Sequence, residues 1–300
     1  MAQIFIEDLS PEERNAIVEA RARRQAKLDS LEKYNVGEKY RYKLVVEGNS
    51  HVQTMKSDFQ ITYIYDLIYV GYDNDNSLHR FQLTEVSYTL DKYDDPVLVQ
   101  IVEMSNMISE IYQQLDFGVS RYGTLKKIYN IDQILKRWEK TKEYLTYKHP
   151  LSSFEIIKIK EKELSDPAMT AKNISFMHFF QVYFKQFGRF EEREVYQVWH
   201  MDQFGSGIPF KLNMEIIAQP DTSEGMLHRK MRGRMIYDAD TEKELCRVVK
   251  DSLAKVDYTT RADYYSHGMI LEEVNFSYNQ KIGEGYDMYS YLHLIRIKDE

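Results

Sequence analysis

Residues Phe117–His149 read FGVSRYGTLKKIYNIDQILKRWEKTKEYLTYKH. The stretch divides into a short strand, a tight turn at Tyr122-Gly123, a second strand and an amphipathic helix. Asn130 stands where an N-cap belongs and Gln133 follows three residues later, the spacing of a capping box. Ile131, Ile134, Leu135, Trp138 and Leu145 recur on one helical face, while Lys136, Arg137, Lys140 and Lys142 mostly fall elsewhere. A hairpin that feeds directly into a one-faced helix implies a sheet with a helix laid on it.

Working back from there, Leu98, Ile101, Val102, Ile108, Ile111 and Leu115 give a helix started by Asp94-Asp95-Pro96. Three strands precede it. Tyr40, Tyr42, Leu44 and Val46 alternate with basic residues. Phe59, Ile61, Tyr63, Tyr65, Leu67 and Tyr69 form a cleaner alternation, and a third strand runs over residues 79–90. Residues 1–36 are read as an N-terminal helical arm started by Ser10-Pro11-Glu12-Glu13, either laid on the body or docking on a partner or second copy.

Working forward, His149-Pro150 ends the first half. Phe154–Ile159 is a strand or linker. Asp166-Pro167 opens a helix carrying Phe176, Phe179, Phe180, Tyr183, Phe184 and Phe187 to Gly188, apolar nearly all round and so buried on more than one side. Strands follow over residues 195–201, 208–216 and 227–237. The polar cluster at Asp238 then caps a helix with Leu245, Val248, Val249, Leu253 and Val256 apolar. Two long strands, over residues 264–278 and 286–297, close the chain around a turn at Gly283-Glu284-Gly285. The expectation is an α+β protein of two antiparallel sheets, each with helices on one face: a first unit over residues 37–150 and a second over 151–300 that includes the aromatic helix. The strand-to-helix passages of the two halves look alike in plan, so a tandem pseudo-repeat is one reading and two unrelated units the other.

Composition narrows the function classes. With 24 Tyr against 13 Gly and 6 Pro, β-forming aromatics outnumber breakers, and most of the chain should be regular. A formal net charge of −7 removes the overall basic footprint of a general nucleic-acid or anionic-membrane binder. Cys246 is the only cysteine, which excludes an intrachain disulfide and a Cys-based zinc site and favours a reducing compartment. The start MAQIFIEDLSPEERN has no secretory character, and no run approaches the ~18 apolar residues a spanning helix needs, so no membrane span and a cytoplasmic location are expected.

Motifs for catalysis or cofactors are weak. No two of the eight histidines lie within five residues of each other. Asp73-Asn74-Asp75-Asn76-Ser77 resembles the front of a calcium loop, but Leu78 and Thr84 replace the glycine and the bidentate glutamate that such a loop needs. Gly205-Ser206-Gly207 lacks a third glycine and leads into a strand. Cys246 reads as a small buried thiol. No metal and no cofactor are expected, and catalysis is disfavoured.

Two groups remain as candidates for ligand or partner binding. His228, Lys230, Arg232 and Arg234 share one face of a strand and can meet an anion or acidic partner. Equally, they can form a solvated face paired with Glu215 or Glu272-Glu273. The tyrosine-rich faces, Tyr63, Tyr65 and Tyr69 with Tyr286, Tyr289 and Tyr291, can line a concave sheet or pack as core under helices.

The order Gly37-Glu38-Lys39-Tyr40, strands, a glycine-centred hairpin, Ile128-Tyr129-Asn130, the isoleucines Ile131 and Ile134, and Trp138-Glu139 resembles a group of uncharacterised cytosolic Bacteroidota proteins. These are associated with type VI-like contractile secretion loci. The resemblance implies an adaptor, chaperone or immunity role and brings no catalytic residues. The leading expectation is thus a non-enzymatic cytosolic binding or adaptor protein that holds a protein segment on a sheet surface, or self-associates, without nucleic acid. The other is a carrier or enzyme with a pocket between the sheets, where the basic row grips an anionic ligand.

Overall fold

The structure is a computed structural model that describes residues 33–92, 106–150, 153–189, 192–202, 208–219, 226–250 and 254–298, with Glu12 and Glu19. The expected arm over residues 1–36 lies almost wholly outside the described residues, as do Gly205-Ser206-Gly207 and the start of the helix expected at Asp94. In chain order the elements are β1 (Lys39–Val52), β2 (Met55–Asp73), β3 (Leu78–Lys92), β4 (Gln114–Val119), β5 (Leu125–Ile128), α1 (Ile131–Lys148), α2 (Phe154–Leu164), α3 (Pro167–Ile174) and α4 (His178–Tyr183). A 3-10 turn (Phe184–Gln186) follows, then β6 (Arg193–Met201), β7 (Pro209–Ala218), β8 (Met226–Met235), α5 (Ala239–Val248), β9 (Val256–His267), β10 (Ile270–Ile282) and β11 (Tyr286–Ile297).

All the strands belong to one 11-stranded antiparallel sheet, in the order β5-β4-β3-β2-β1-β11-β10-β9-β8-β7-β6. This overturns the expected α+β fold of two sheets. The two halves are fused where β1 and β11 pair, from Arg41 opposite Ile297 to Val52 opposite Tyr286. Each of those strands has the two-residue rhythm of a strand paired on both sides. That rhythm tells which face is buried and says nothing about which strand lies alongside.

Other local expectations change too. The strand expected over 264–278 is the hairpin β9–β10, turned at Gly268-Met269 with Gly268 at φ +56°, and alternation continues across it. Phe154–Ile159 belongs to helix α2. Leu115 lies in β4, so the helix before it ends earlier than its apolar pattern does. The aromatic helix is in pieces, because Met177 is extended and re-aims the chain between α3 and α4. Its start is as expected: Pro167 is the first helical residue, and the Asp166 carboxylate accepts from the Ala168 and Met169 amides at 2.9 and 3.4 Å. Asn130 does not cap α1 through its side chain. Its amide instead accepts from the Asp116 N–H and donates to the Gln114 carbonyl, each at 2.9 Å, tying the helix start to β4.

The inner face of the sheet is oily and aromatic. Tyr40, Tyr42, Leu44 and Val46 of β1 point into it, as do Phe276 and Tyr278 of β10, all buried. Phe179 packs 4.9 Å from Tyr65, and Phe180 and Phe184 pack 4.9 and 5.7 Å from Phe117. Full burial of such a side chain is worth roughly 2–3 kcal/mol, so this cluster is a main cohesive element. The Tyr183 hydroxyl sits at its centre, 2.7 Å from that of Tyr34 and 3.2 Å from that of Tyr42.

The sheet curls until both edge strands meet the helical segment. Helix α3 packs on β5, and its Lys172 ammonium lies 5.6 Å from the Trp199 ring of β6. Arg189 stands 5.4 Å from the ring of Tyr122, in the β4–β5 turn, and 3.4 Å from that of Tyr196 on β6. Gly188, at φ +68°, is so close to that turn that a Cβ would sit 1.7 Å from the Arg121 carbonyl oxygen. The result is an open barrel whose seam is filled by residues 153–189.

Candidate binding surfaces on the outer face

Period two sends alternate residues of every strand outward. On β8, Arg229, Met231, Gly233 and Met235 are buried, whereas Lys230, Arg232 and Arg234 are exposed. The register sets Arg232 between Glu215 on β7 and Arg261 on β9. The Glu215 carboxylate is held by Arg193 at 2.6 Å, and Lys230, Arg232, Arg234 and Arg261 form no ion pair among the described residues. His228 stands apart from the row. It stacks on Tyr265 at 4.5 Å, and its Nε2 is 2.9 Å from the Asp263 carboxylate. Glu272 and Glu273, offered above as partners of the row, lie on β10, one strand beyond its neighbour β9. Glu272 bonds Arg296 at 2.7 Å and Glu273 bonds His293 at 3.1 Å.

The tyrosines do not form one surface. Tyr63, Tyr65 and Tyr69 are on the inner face: Tyr65 packs on Phe179 and Tyr69 on Phe81, while Tyr63 lies 5.6 Å from Tyr65 and 5.2 Å from Tyr88. Burial pushes the phenols of Tyr63 and Tyr65 well above their usual range. Tyr289 and Tyr291 face outward, opposite Asn49 and Glu47 of β1.

There they line a cleft of about 290 Å³ with Glu47, Gly48, Asn49, Asp58, Phe59 and Gln60. Glu47, Asn49 and Asp58 are exposed, and Tyr289 is 41% exposed. The Tyr291 hydroxyl donates to the Asn275 side-chain carbonyl, which fixes that ring. Its pKa is raised by burial and then by the charges of Glu273 and Glu47. Two aromatic rings beside two carboxylates suit a cationic group better than an anion. Glu47 and Asp58 escaped the sequence reading because they meet only through the β1–β2 register.

A buried basic cluster lies on the inner side. Lys185 Nζ has no hydrogen-bond partner, sits 4.9 Å from the centre of the Phe276 ring, and is pushed down to about 7 by desolvation. His200 is held well below its usual range, first by desolvation and then by the charges of Lys185 and His178. Its Nε2 is 2.5 Å from the Tyr258 hydroxyl. Arg229 donates to Gln186 Oε1 at 2.5 Å. Cys246 is buried, as expected, with its thiol donating to the Ala254 carbonyl at 3.1 Å. Among the described residues, no group of three or more His, Cys, Asp or Glu side chains is placed to hold a metal ion, and no helix is long and apolar enough to cross a membrane.

No family profile and no curated protein matches the chain. Among solved structures it is similar to lipovitellin, determined for its lipid–protein interactions, at 12% identity and a TM-score of 0.50. That match covers 89% of this chain and 26% of the other, so the chain spans about a quarter of the lipovitellin chain, and the likeness is one of fold alone. An outer membrane channel from Pseudomonas putida F1 aligns at 9% identity over 89% of this chain and 98% of that one, with a TM-score of 0.16, too low for a shared fold.

Proposed function

We propose that this is a non-catalytic binding protein that holds a protein segment bearing a basic side chain in the outer-face cleft. The carrying observation is the cleft itself: Tyr289 and Tyr291 form its aromatic walls, Glu47 and Asp58 supply negative charge, and Asn49 and Gln60 offer hydrogen bonds. A lysine or arginine entering it gains ring-face attraction and charge-assisted hydrogen bonds together. The fold likeness to a lipid-binding protein is consistent with a binding role. Beneath the sheet, where a carrier would store cargo, Phe179, Phe180, Tyr183 and Phe184 fill the space beside β1–β4. An adaptor or chaperone role in a contractile secretion system fits this reading.

Panning a random peptide library on the intact protein tests it. The expected result is enrichment of peptides containing Lys or Arg, with capture lost in the Glu47→Gln/Asp58→Asn variant and weakened about tenfold in Tyr289→Ala, a loss in the range of a desolvated cation–ring contact. Enrichment without basic residues, or undiminished capture by the double carboxamide variant, sinks the reading.

A further inference from the structure

The outer face of β6–β9 carries a charge pattern that the binding cleft does not use. Register places Arg193, Val195, Gln197 and Trp199 of β6 beside Ile217, Glu215, Asn213 and Lys211 of β7. Lys230, Arg232 and Arg234 of β8 come next, and Arg261 of β9 completes the face. Six cations thus share an area about 15 Å across the strands with Asp257, which stands opposite Lys281 of β10, and with two further carboxylates, Glu215 and Asp263. Those two are engaged, Glu215 by Arg193 at 2.6 Å and Asp263 by His228 at 2.9 Å. Arg232 and Arg261 stand directly opposite each other, a like-charge pair that lowers stability and has no carboxylate of its own among the described residues.

The net charge of −7 conceals this patch, because charges further away than about 8–10 Å are screened at physiological salt. Beside the cations are two exposed apolar side chains, Val195 at 60% and Trp199 at 53%. The Trp199 ring lies 5.1 Å from the Lys211 ammonium and 5.6 Å from that of Lys172. Indole bracketed by lysines at the border of a basic face is chemistry suited to the lipid headgroup region, where the ring enters the interface and the ammonium groups meet phosphates. Base stacking, by contrast, calls for free aromatic rings among the cations. Lys230, Arg232 and Arg234 have Ile217, Glu215 and Asn213 on β7 and Asp263, Arg261 and Thr259 on β9 for outward neighbours, and the ring at the end of the row, Tyr265, is already stacked on His228 at 4.5 Å.

We propose that the outer face of β6–β9 docks on an anionic phospholipid surface, with Lys230, Arg232, Arg234 and Arg261 against headgroup phosphates and Trp199 inserted at the rim. Such a contact is peripheral and needs no spanning segment. The full-length protein would be mixed with vesicles of equimolar phosphatidylcholine and phosphatidylserine, or of phosphatidylcholine alone, and bound protein measured by sedimentation. Binding is expected on the mixed vesicles only and weakens as salt is raised. Each cation removed costs about fivefold, so Lys230→Gln/Arg232→Gln/Arg234→Gln should bind about a hundredfold more weakly. As an independent reading, Trp199 emission in a Trp138→Phe background should shift to the blue on mixed vesicles and not on neutral ones. Equal binding to both vesicle types, or undiminished binding of the triple variant, overturns the proposal. Tighter binding of a short RNA or DNA duplex than of the vesicles does so as well and reassigns the patch to nucleic acid.

Discussion

The guanidinium of Arg189 lies 3.4 Å from the ring centre of Tyr196, which joins the helical segment to the last strand of the sheet. On its other side is the ring of Tyr122, 5.4 Å away in the β4–β5 turn, so one side chain touches both margins of the open barrel. Its Nε also donates to the Lys185 carbonyl at 3.2 Å, and Nη1 pairs with Glu194 at 3.1 Å. Arg189→Ala removes the ring contacts and takes one charge partner from the part-buried Glu194 carboxylate. A loss of about 2–4 kcal/mol is expected. Arg189→Lys keeps the charge but not the flat stack, and should lose less. Urea unfolding measures both. Hydrogen exchange in Ala should quicken first in β5 and β6; uniform quickening would mean that the seam is not held at this point.

Gly188 gives a second test of the seam, by comparison with Gly37. Both have positive φ, +68° and +82°. Around Gly37 a Cβ meets nothing within 4 Å, whereas at Gly188 it meets the Arg121 carbonyl oxygen at 1.7 Å. Gly37→Ala should therefore lose only the backbone term, about 1 kcal/mol. Gly188→Ala must also push the β4–β5 turn away, and should lose at least ~2–3 kcal/mol. Equal losses in thermal unfolding would argue against close contact between turn and helical segment.

Much of the strand content was readable in advance, because Tyr40-Leu44-Val46, the Phe59–Tyr69 alternation and Phe210-Leu212-Met214 each put one face in the core. The union of the halves was not. It depends on pairing between β1 and β11, and a strand's own rhythm does not specify its neighbour. The β9–β10 turn was missed because Gly268-Met269 lacks the Asn-Gly or Asp-Gly signal and apolar spacing runs through it. Asn130 was misread since its carboxamide serves equally well to cap a helix or to bind a passing strand, and only the position of β4 decides. The outward set of His228, Lys230, Arg232 and Arg234 followed from parity on one strand. Arg261, Trp199, Glu47 and Asp58 required registers between strands, which local sequence does not contain.

The buried basic cluster fixes the direction of pH dependence. Lys185 is pushed down to about 7 and His178 to about 4, both by desolvation. In each case the unfolded chain binds more protons than the folded one between the folded value and the ordinary value. Stability therefore rises with pH, through roughly 4–6.5 on account of His178 and 7–10 on account of Lys185. Beyond pH ~10 the buried phenols of Tyr34, Tyr42 and Tyr183, held above their usual range, resist ionisation that the unfolded chain undergoes freely, and stability falls. The optimum should lie on the alkaline side of neutrality. Lys185→Met removes a buried ammonium without a hydrogen-bond partner and should stabilise the protein at pH 7 by a few kcal/mol, while flattening the 7–10 limb. Urea midpoints across that range decide the matter. A limb unchanged in the variant would show that Lys185 is solvated in the folded protein.

Arg232 and Arg261 provide the remaining test, because a binding surface and a structural surface respond oppositely to losing one of them. The two are directly opposed on β8 and β9. Their repulsion is offset only in part among the described residues, since Glu215, opposite Arg232 on β7, pairs with Arg193, and Asp263, two residues from Arg261 on β9, bonds His228. Arg232→Gln should consequently raise stability by about 0.2–1 kcal/mol. The gain should be largest at low ionic strength and shrink once the screening length falls to about 3 Å near 1 M salt. Arg261→Glu should gain more, as it replaces repulsion with a cross-strand ion pair. Urea midpoints at two salt concentrations give the answer. A loss on Arg232→Gln, insensitive to salt, would mean that the side chain braces the sheet by packing. A salt-dependent gain would identify a surface whose charge disfavours the isolated fold, as expected where the counter-charge arrives with a ligand.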